Sequence, residues 1–144
     1  MARRTGSELE FARTRILVAD FRKSWKFYRD VLGLTPVKGH GEPPYGEFQS
    51  SAGAMVSLFD RSLMAKAVGL SPGRYDPKNT GRSLLVFSTR DVDEVARRLK
   101  RQRVRFVCGP TDREVWHLRT IHFRDPDGYL IEVYSDLPNP GRRA

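Results

Sequence analysis

Cysteine is nearly absent from this chain of 144 residues: there is one, Cys108. A single thiol excludes an intrachain disulfide framework and fits a reducing, cytoplasmic setting. It lies in the apolar run Phe106-Val107-Cys108, which reads as a small core or cavity position rather than a nucleophile. Long apolar runs are missing as well. Nothing approaches the ~20 residues that a membrane span requires. The first residues, Met1-Ala2-Arg3-Arg4-Thr5-Gly6, lack the apolar segment of a signal peptide. No membrane partner is expected. Acids are scarce beside bases: 17 Asp and Glu against 26 Lys and Arg, a formal charge of +9. Such an excess suits an acidic partner, but its distribution argues against nucleic acid. Arg3, Arg4, Arg142 and Arg143 lie near the two ends. Arg97, Arg98, Lys100, Arg101, Arg103 and Arg105 follow one amphipathic helix, where a charge run is usually a solvated face. No helix-turn-helix, zinc-finger or RNP pattern is present, so no specific nucleic-acid partner is expected.

What is present is enough apolar residue, 39% of the chain, for one domain or for two small modules sharing a core. The organising stretch is Asp125-Pro126-Asp127-Gly128-Tyr129-Leu130-Ile131-Glu132-Val133-Tyr134-Ser135. Proline, aspartate and glycine in that order make a tight turn. The strand after it is β-branched and aromatic but carries one acid, Glu132. A carboxylate there must meet water, a cation or a ligand, because burying it unpaired is costly.

The stretch has an earlier counterpart, Ala52-Gly53-Ala54-Met55-Val56-Ser57-Leu58-Phe59-Asp60, in which Gly53 matches Gly128 and Ser57 matches Glu132. The strand-to-helix junctions repeat too: Ile16 to Asp20 matches Leu85 to Asp91. The offsets are 71 residues at the aspartates and 75 at the glycines, which agree within a loop insertion. The chain therefore reads as an α+β protein of two tandem β-α-β-β-β modules. These form a curved mixed sheet with helices on the outer face and a concave cleft. The expected divisions are an arm at 1–9, a first module at 10–60, a connecting segment at 61–82, a second module at 83–136 and a tail at 137–144.

Within the first module the expected strands are Phe11–Ala19, Leu34–Lys38, Tyr45–Ser50 and Ala54–Asp60. A helix over Phe21–Leu32 is capped by Asp20 and stopped by Gly33, with Phe21, Trp25, Tyr28 and Leu32 on its buried stripe. Ser62 to Val68 suits a short helix, and Gly69 to Gly81 reads as a linking loop. The second module opens with Ser83–Thr89. Asp91 caps a helix whose stripe is Val92, Val95, Ala96 and Leu99. Strands over Arg105–Cys108, Arg119–Arg124 and Tyr129–Ser135 follow. Strand alternation sends Ile121, Phe123, Ile131 and Val133 to the helix side, and His122, Glu132 and Tyr134 to the concave side.

The run Asp20 to Phe27-Tyr28-Arg29-Asp30-Val31-Leu32-Gly33-Leu34, together with Asp125-Pro126-Asp127-Gly128 and Glu132, resembles the vicinal oxygen chelate superfamily. This group holds glyoxalase I, bleomycin-resistance proteins and extradiol dioxygenases. The resemblance covers roughly residues 10 to 136. In the superfamily's metal-dependent members, each module supplies a His or Gln on its first strand and a Glu on its last strand to one divalent ion. By position those places fall to Arg13, Ser57, Leu84 and Glu132. Only Glu132 is a competent ligand: arginine is a permanent cation, leucine has no donor and serine is a weak one. His40, His117 and His122 lie off these places, and a lone histidine is more often a hydrogen-bonded structural residue.

The resemblance therefore implies the superfamily's metal-free branch, without cofactor, which sequesters hydrophobic or aromatic compounds and is commonly dimeric. A homodimer binding a small molecule is the expectation. Phe48, Phe59, Trp116 and Tyr134 are candidate aromatic walls. Arg13, Arg15, Ser57, Leu84, His122 and Glu132 complete the candidate ligand-binding set. Arg13 and Glu132 are expected to form an ion pair where relatives hold a metal, with His122 as the next choice of partner for Glu132. The competing reading is an enzyme of the same superfamily: a lyase, isomerase or dioxygenase-like protein. It would use Glu132 or His122 as general base, or a metal held by non-standard ligands. A purely structural or regulatory dimer is the third class.

Overall fold

The protein is described by a computed structural model over residues 12–67, 69 and 84–138. The expected arm at 1–9, most of the expected loop between Gly69 and Gly81, and the end of the tail lie outside the described residues.

The first module contains β1 (Thr14–Val18), α1 (Phe21–Lys26), β2 (Thr35–Lys38), β3 (Tyr45–Gln49) and β4 (Met55–Asp60). A short α2 (Arg61–Ala67) follows. The second module contains β5 (Leu84–Ser88), α3 (Val92–Arg101), β6 (Phe106–Arg113), a 3-10 turn (Glu114–Trp116), β7 (Leu118–Arg124) and β8 (Leu130–Asp136). Each module builds one four-stranded sheet, in the orders β1-β4-β3-β2 and β5-β8-β7-β6. The first strand of each module pairs parallel with its last, and the other pairings are antiparallel. The two sheets thus repeat one topology. The equivalence extends to the turns: Gly53 has φ +87° and Gly128 φ +88°, a left-handed conformation that glycine adopts without steric cost.

Both aspartate caps form. Asp20 accepts from the Lys23 N–H and Asp91 from the Glu94 N–H, each at 3.1 Å, satisfying N–H groups that a helix start leaves free. The first helix does not run as a uniform α-helix to Leu32. Its last turn, Phe27–Val31, widens to a π turn, in which the Leu32 N–H reaches the Phe27 carbonyl five residues back. Gly33, at φ +73°, then reverses the chain so that the Leu34 N–H closes on the Tyr28 carbonyl. Strand β6 runs five residues past the expected end at Cys108, through Gly109 and Pro110 to Arg113. Register irregularities against β7, one between Phe106 and Cys108 and one between Cys108 and Thr111, each absorb one extra residue of β6.

The helix stripe Phe21, Trp25 and Tyr28 packs with Ile16, Val18, Phe48, Val56 and Leu58 in one buried cluster. Val92, Ala96, Leu99, Ile121, Phe123, Ile131 and Val133 form a second. The clusters interlock: Leu85, Phe87 and Tyr129 of the second module pack on the first cluster, and Phe27, Val31 and Leu32 pack on the second. Gly46 is the narrow point of the first core. A Cβ there would run into the six-membered ring of Trp25, so only glycine lets the indole cross β3.

The second module's turn ties the halves together. Asp127 accepts from the Ala19 N–H at 2.9 Å and from the Ser24 hydroxyl at 2.8 Å. Asp125 accepts from the Tyr28 hydroxyl at 2.7 Å and from its own turn through the Asp127 and Tyr129 N–H groups. From the other side, Arg98 on α3 donates to the Val31 carbonyl at 2.7 Å.

Candidate functional site

The faces away from the helices carry the chemistry, and each module has built a separate polar group on its own sheet. On the first, the register places Arg15, Ser57 and Glu47 side by side across β1, β4 and β3. Arg13 and Tyr45 share that face by the alternation of a pleated strand. Arg13 Nη1 lies 2.8 Å from Glu47 Oε1 and donates to the Tyr45 hydroxyl at 3.3 Å. The Tyr45 hydroxyl also donates to Glu47, and Lys38 Nζ stands 3.8 Å from the second Glu47 oxygen. Glu47 is 1% exposed, so these partners are what make its charge tolerable. Arg15 donates from Nε to the Ser57 hydroxyl at 3.3 Å, and its guanidinium carbon sits 5.4 Å from the Tyr45 ring and 5.9 Å from the Phe59 ring. Burial pushes the Tyr45 hydroxyl above its ordinary pKa, and the hydrogen bond to Glu47 adds to the rise.

On the second sheet, His122 and Glu132 are directly opposite on β7 and β8, with Nε2 and Oε1 2.9 Å apart and both side chains 14% exposed. The pair occupies the same places as Glu47 and Ser57 in the first module, so the acid has changed strand between the two copies. Beside it, the Cys108 thiol lies 3.3 Å from Arg113 Nη2, and Arg113 also donates to the Thr120 hydroxyl. Farther along, Arg119 links Asp93 and Asp112 and holds the Asp93 carboxyl below its usual range.

The expected Arg13–Glu132 pair does not form: Arg13 is taken by Glu47, and Glu132 by His122. Both partners come from the same sheet: His122 faces Glu132 across the β7–β8 antiparallel ladder, where facing side chains are only about 5 Å apart, and Glu47 reaches Arg13 from β3, one strand beyond β4. Phe48 is a second correction. It is fully buried on the helix side between Trp25 and Tyr28, with ring centroids at 4.5 Å and 6.2 Å, and forms no ligand wall. Phe59 packs near Tyr45 on the open face, with ring centroids 6.2 Å apart and planes tilted by 54°. Trp116 is 54% exposed with the Arg113 guanidinium over its ring. Tyr134 is half-buried opposite Thr120. Leu84 and Val86 are exposed on the concave side of β5.

Glu47 and Tyr45 were missed by the sequence reading. Their signal was available, because in Tyr45-Gly46-Glu47-Phe48-Gln49 the polar and aromatic residues alternate with Gly46 and Phe48.

A cleft of about 960 Å³ runs between the modules, lined among others by Arg13, Leu34, Met55, Leu84, Val86 and Phe87. Neither His122 nor Glu132 lines it, so the cleft and the His–Glu pair are different places. The four positions that the superfamily resemblance assigns to metal ligands hold a cation paired with Glu47, a serine bonded to Arg15, a leucine, and a carboxylate bonded to His122. No three His, Cys, Asp or Glu side chains gather as a metal-binding group among the described residues. No helix among them is long and apolar enough to cross a membrane.

Comparisons with known proteins agree with this architecture. The family profile "Glyoxalase/Bleomycin resistance protein/Dioxygenase superfamily" matches residues 10–133. An uncharacterized protein of Bacillus subtilis (strain 168), YraH, is 36% identical over 129 residues, covering 90% of this chain and all of that one. Among solved structures, a glyoxalase/bleomycin resistance protein/dioxygenase from Nocardioides superposes with a TM-score of 0.75 at 24% identity, covering 97% of this chain and 93% of that one. Lactoylglutathione lyase from Agrobacterium tumefaciens superposes with a TM-score of 0.66 at 22% identity, covering 88% of this chain and 92% of that one. With a profile match across most of its length and the repeated module order of its sheets, the chain belongs to the glyoxalase/bleomycin resistance protein/dioxygenase superfamily.

Proposed function

We propose that this protein binds a small hydrophobic or aromatic compound on its concave side without a metal ion, in the manner of a sequestering or resistance protein. One observation carries the reading: a guanidinium ion, Arg13, stands at a ligand place and is already committed to Glu47 at 2.8 Å. A divalent ion needs several oxygen or nitrogen donors converging on it, and a fixed cation at one of those positions repels it. Leu84 supplies no donor, and Glu132 shares its oxygen with His122. Phe59, Tyr45 and Trp116 offer the aromatic surface.

Elemental analysis of protein purified without chelators tests this directly. Well below one Zn, Ni, Mn or Fe per chain is expected, and a stoichiometric metal that disappears in Glu132→Ala overturns the proposal. We also propose that the protein works as a cytoplasmic homodimer, because Leu84 at 41% and Val86 at 52% exposure leave apolar surface on the edge strand β5. Light scattering should return twice the chain mass of 16.5 kDa, and a monomer at micromolar concentration would count against it.

A second reading has its own observation. The His122–Glu132 pair, 2.9 Å apart and little exposed, has the geometry of a general base held by a carboxylate. Metal-free turnover of a compound that the protein binds, lost in both His122→Gln and Glu132→Gln while binding persists, would select the enzyme over the binder.

A further inference from the structure

The first module's open face is electrostatically unbalanced. Three cations, Arg13, Arg15 and Lys38, surround a single carboxylate, Glu47. Arg13 and Lys38 both turn to Glu47, at 2.8 Å and 3.8 Å. Arg15 has only neutral partners among the described residues: the Ser57 hydroxyl at Nε, the Tyr45 hydroxyl, and the faces of Tyr45 and Phe59. Two positive charges are therefore in excess on one small patch.

The geometry of Arg15 is that of a prepared receptor. The bonds to the Ser57 and Tyr45 hydroxyls and the two rings beside the guanidinium orient the planar fork, and none of these partners neutralises its charge. A guanidinium presented in this way recognises an oxyanion through two parallel hydrogen bonds. A second group points the same way. Arg13 Nε is a buried donor with no hydrogen-bond partner, and an unmade buried bond is a standing cost that an incoming acceptor removes. Arg13 also lines the cleft between the modules, so one end of the charged patch borders the space available for a ligand body. The rings of Tyr45 and Phe59 suit a flat apolar body next to the charge.

We propose that this face binds the anionic head of a small planar organic acid, a carboxylate or phosphoryl group, and that Arg15 is the residue that takes it. The inference rests on the metal-free binding reading and narrows its ligand from any aromatic compound to an aromatic anion.

Three probes of one shape separate charge from shape: 2-naphthoate, 2-naphthamide and 2-naphthylmethylamine, titrated by ligand-observed NMR or calorimetry. Naphthoate should bind at least tenfold tighter than the amide, with the amine weakest. Arg15→Gln should bring naphthoate down to the level of the amide, and Arg15→Lys, which keeps the charge but loses the fork, should fall between. Arg97→Gln, on the exposed face of α3, should leave the preference intact and so exclude a diffuse effect of net charge. Circular dichroism and thermal melting of each variant establish that it is folded. Equal affinity for acid and amide, a preference that survives Arg15→Gln, or no binding of any probe overturns the inference. Equal binding of acid and amide by metal-free protein leaves the broader binding proposal standing. A stoichiometric metal removes that broader proposal, while the acid-over-amide preference remains a separate measurement.

Discussion

Tyr28 and Asp125, 97 residues apart, meet through a 2.7 Å hydrogen bond from the tyrosine hydroxyl to a carboxylate oxygen in the buried seam between the modules. Tyr28 is fully buried and Asp125 5% exposed, so each hydroxyl or carboxyl atom there depends on its partner. Burial pushes the Tyr28 hydroxyl well above its ordinary pKa, and the neighbouring Asp125 charge adds to the rise. The bond joins the helix end of one motif, Phe27 to Leu34, to the turn of the other, Asp125 to Gly128.

The same burial raises the Asp125 carboxyl from its usual 3.8 to about 6, despite the opposing hydrogen bonds from Tyr28 and the turn N–H groups. The folded protein therefore holds a proton that the unfolded chain has released. The resulting stability is fully present below about pH 4 and is lost as the pH rises through about 6. At ~1.4 kcal/mol per pKa unit, the loss by pH 7 is about 3 kcal/mol. In urea denaturation between pH 4.5 and 7, the wild type should lose about 2 kcal/mol of this relative to Asp125→Asn, which has no proton to release. A constant difference between the two proteins across that range would refute the shift. Tyr28→Phe should cost about 1–3 kcal/mol at any pH in the window, because it strands a buried carboxylate oxygen.

Arg13→Ala should destabilise the first sheet by strandng Glu47, which is 1% exposed, with only Lys38 at 3.8 Å and the Tyr45 hydroxyl as partners. Removing one side of a buried pair costs about 3–5 kcal/mol. Because Arg13 is itself 33% exposed, the loss should be nearer ~2 kcal/mol. A double-mutant cycle with Glu47→Gln reads the coupling. A coupling energy near zero would show that the two side chains do not act on each other in solution.

Gly46→Ala should cost on the order of 1–3 kcal/mol, because its Cβ meets the Trp25 ring in a packed core and one of them must shift. Gly109→Ala is the matched control: a Cβ there has open space on all sides, and the change should stay within about 0.5 kcal/mol. Equal melting temperatures for the two variants would contradict the packing described for Trp25.

Much of the architecture was legible in the chain because its signals are local. Asp20 and Asp91 cap their helices, Gly33 ends the first one, and Gly53 and Gly128 adopt the same left-handed turn. Each depends on a few consecutive residues, so periodicity and turn chemistry suffice to place it. The repeat of the two modules was also readable from position alone, while the shortage of metal donors at Arg13, Ser57 and Leu84 followed from the superfamily resemblance. Side-chain partnership was not legible. The sequence favoured Arg13 as the partner of Glu132, with His122 as the next choice, and the pairing with His122 came from the register of β7 on β8, which sets them directly opposite. Arg13 found Glu47 because β3 lies against β4, and β4 against β1, bringing together residues 34 positions apart. Phe48 went into the core for the same reason, since one step of alternation separates it from Glu47. The docking of Asp125 and Asp127 onto α1 required both modules to be folded and packed first. Local pattern determined which elements form and where most of them stop, β6 being the exception. Register and module packing, which sum many weak contacts between distant segments, decided which charges meet.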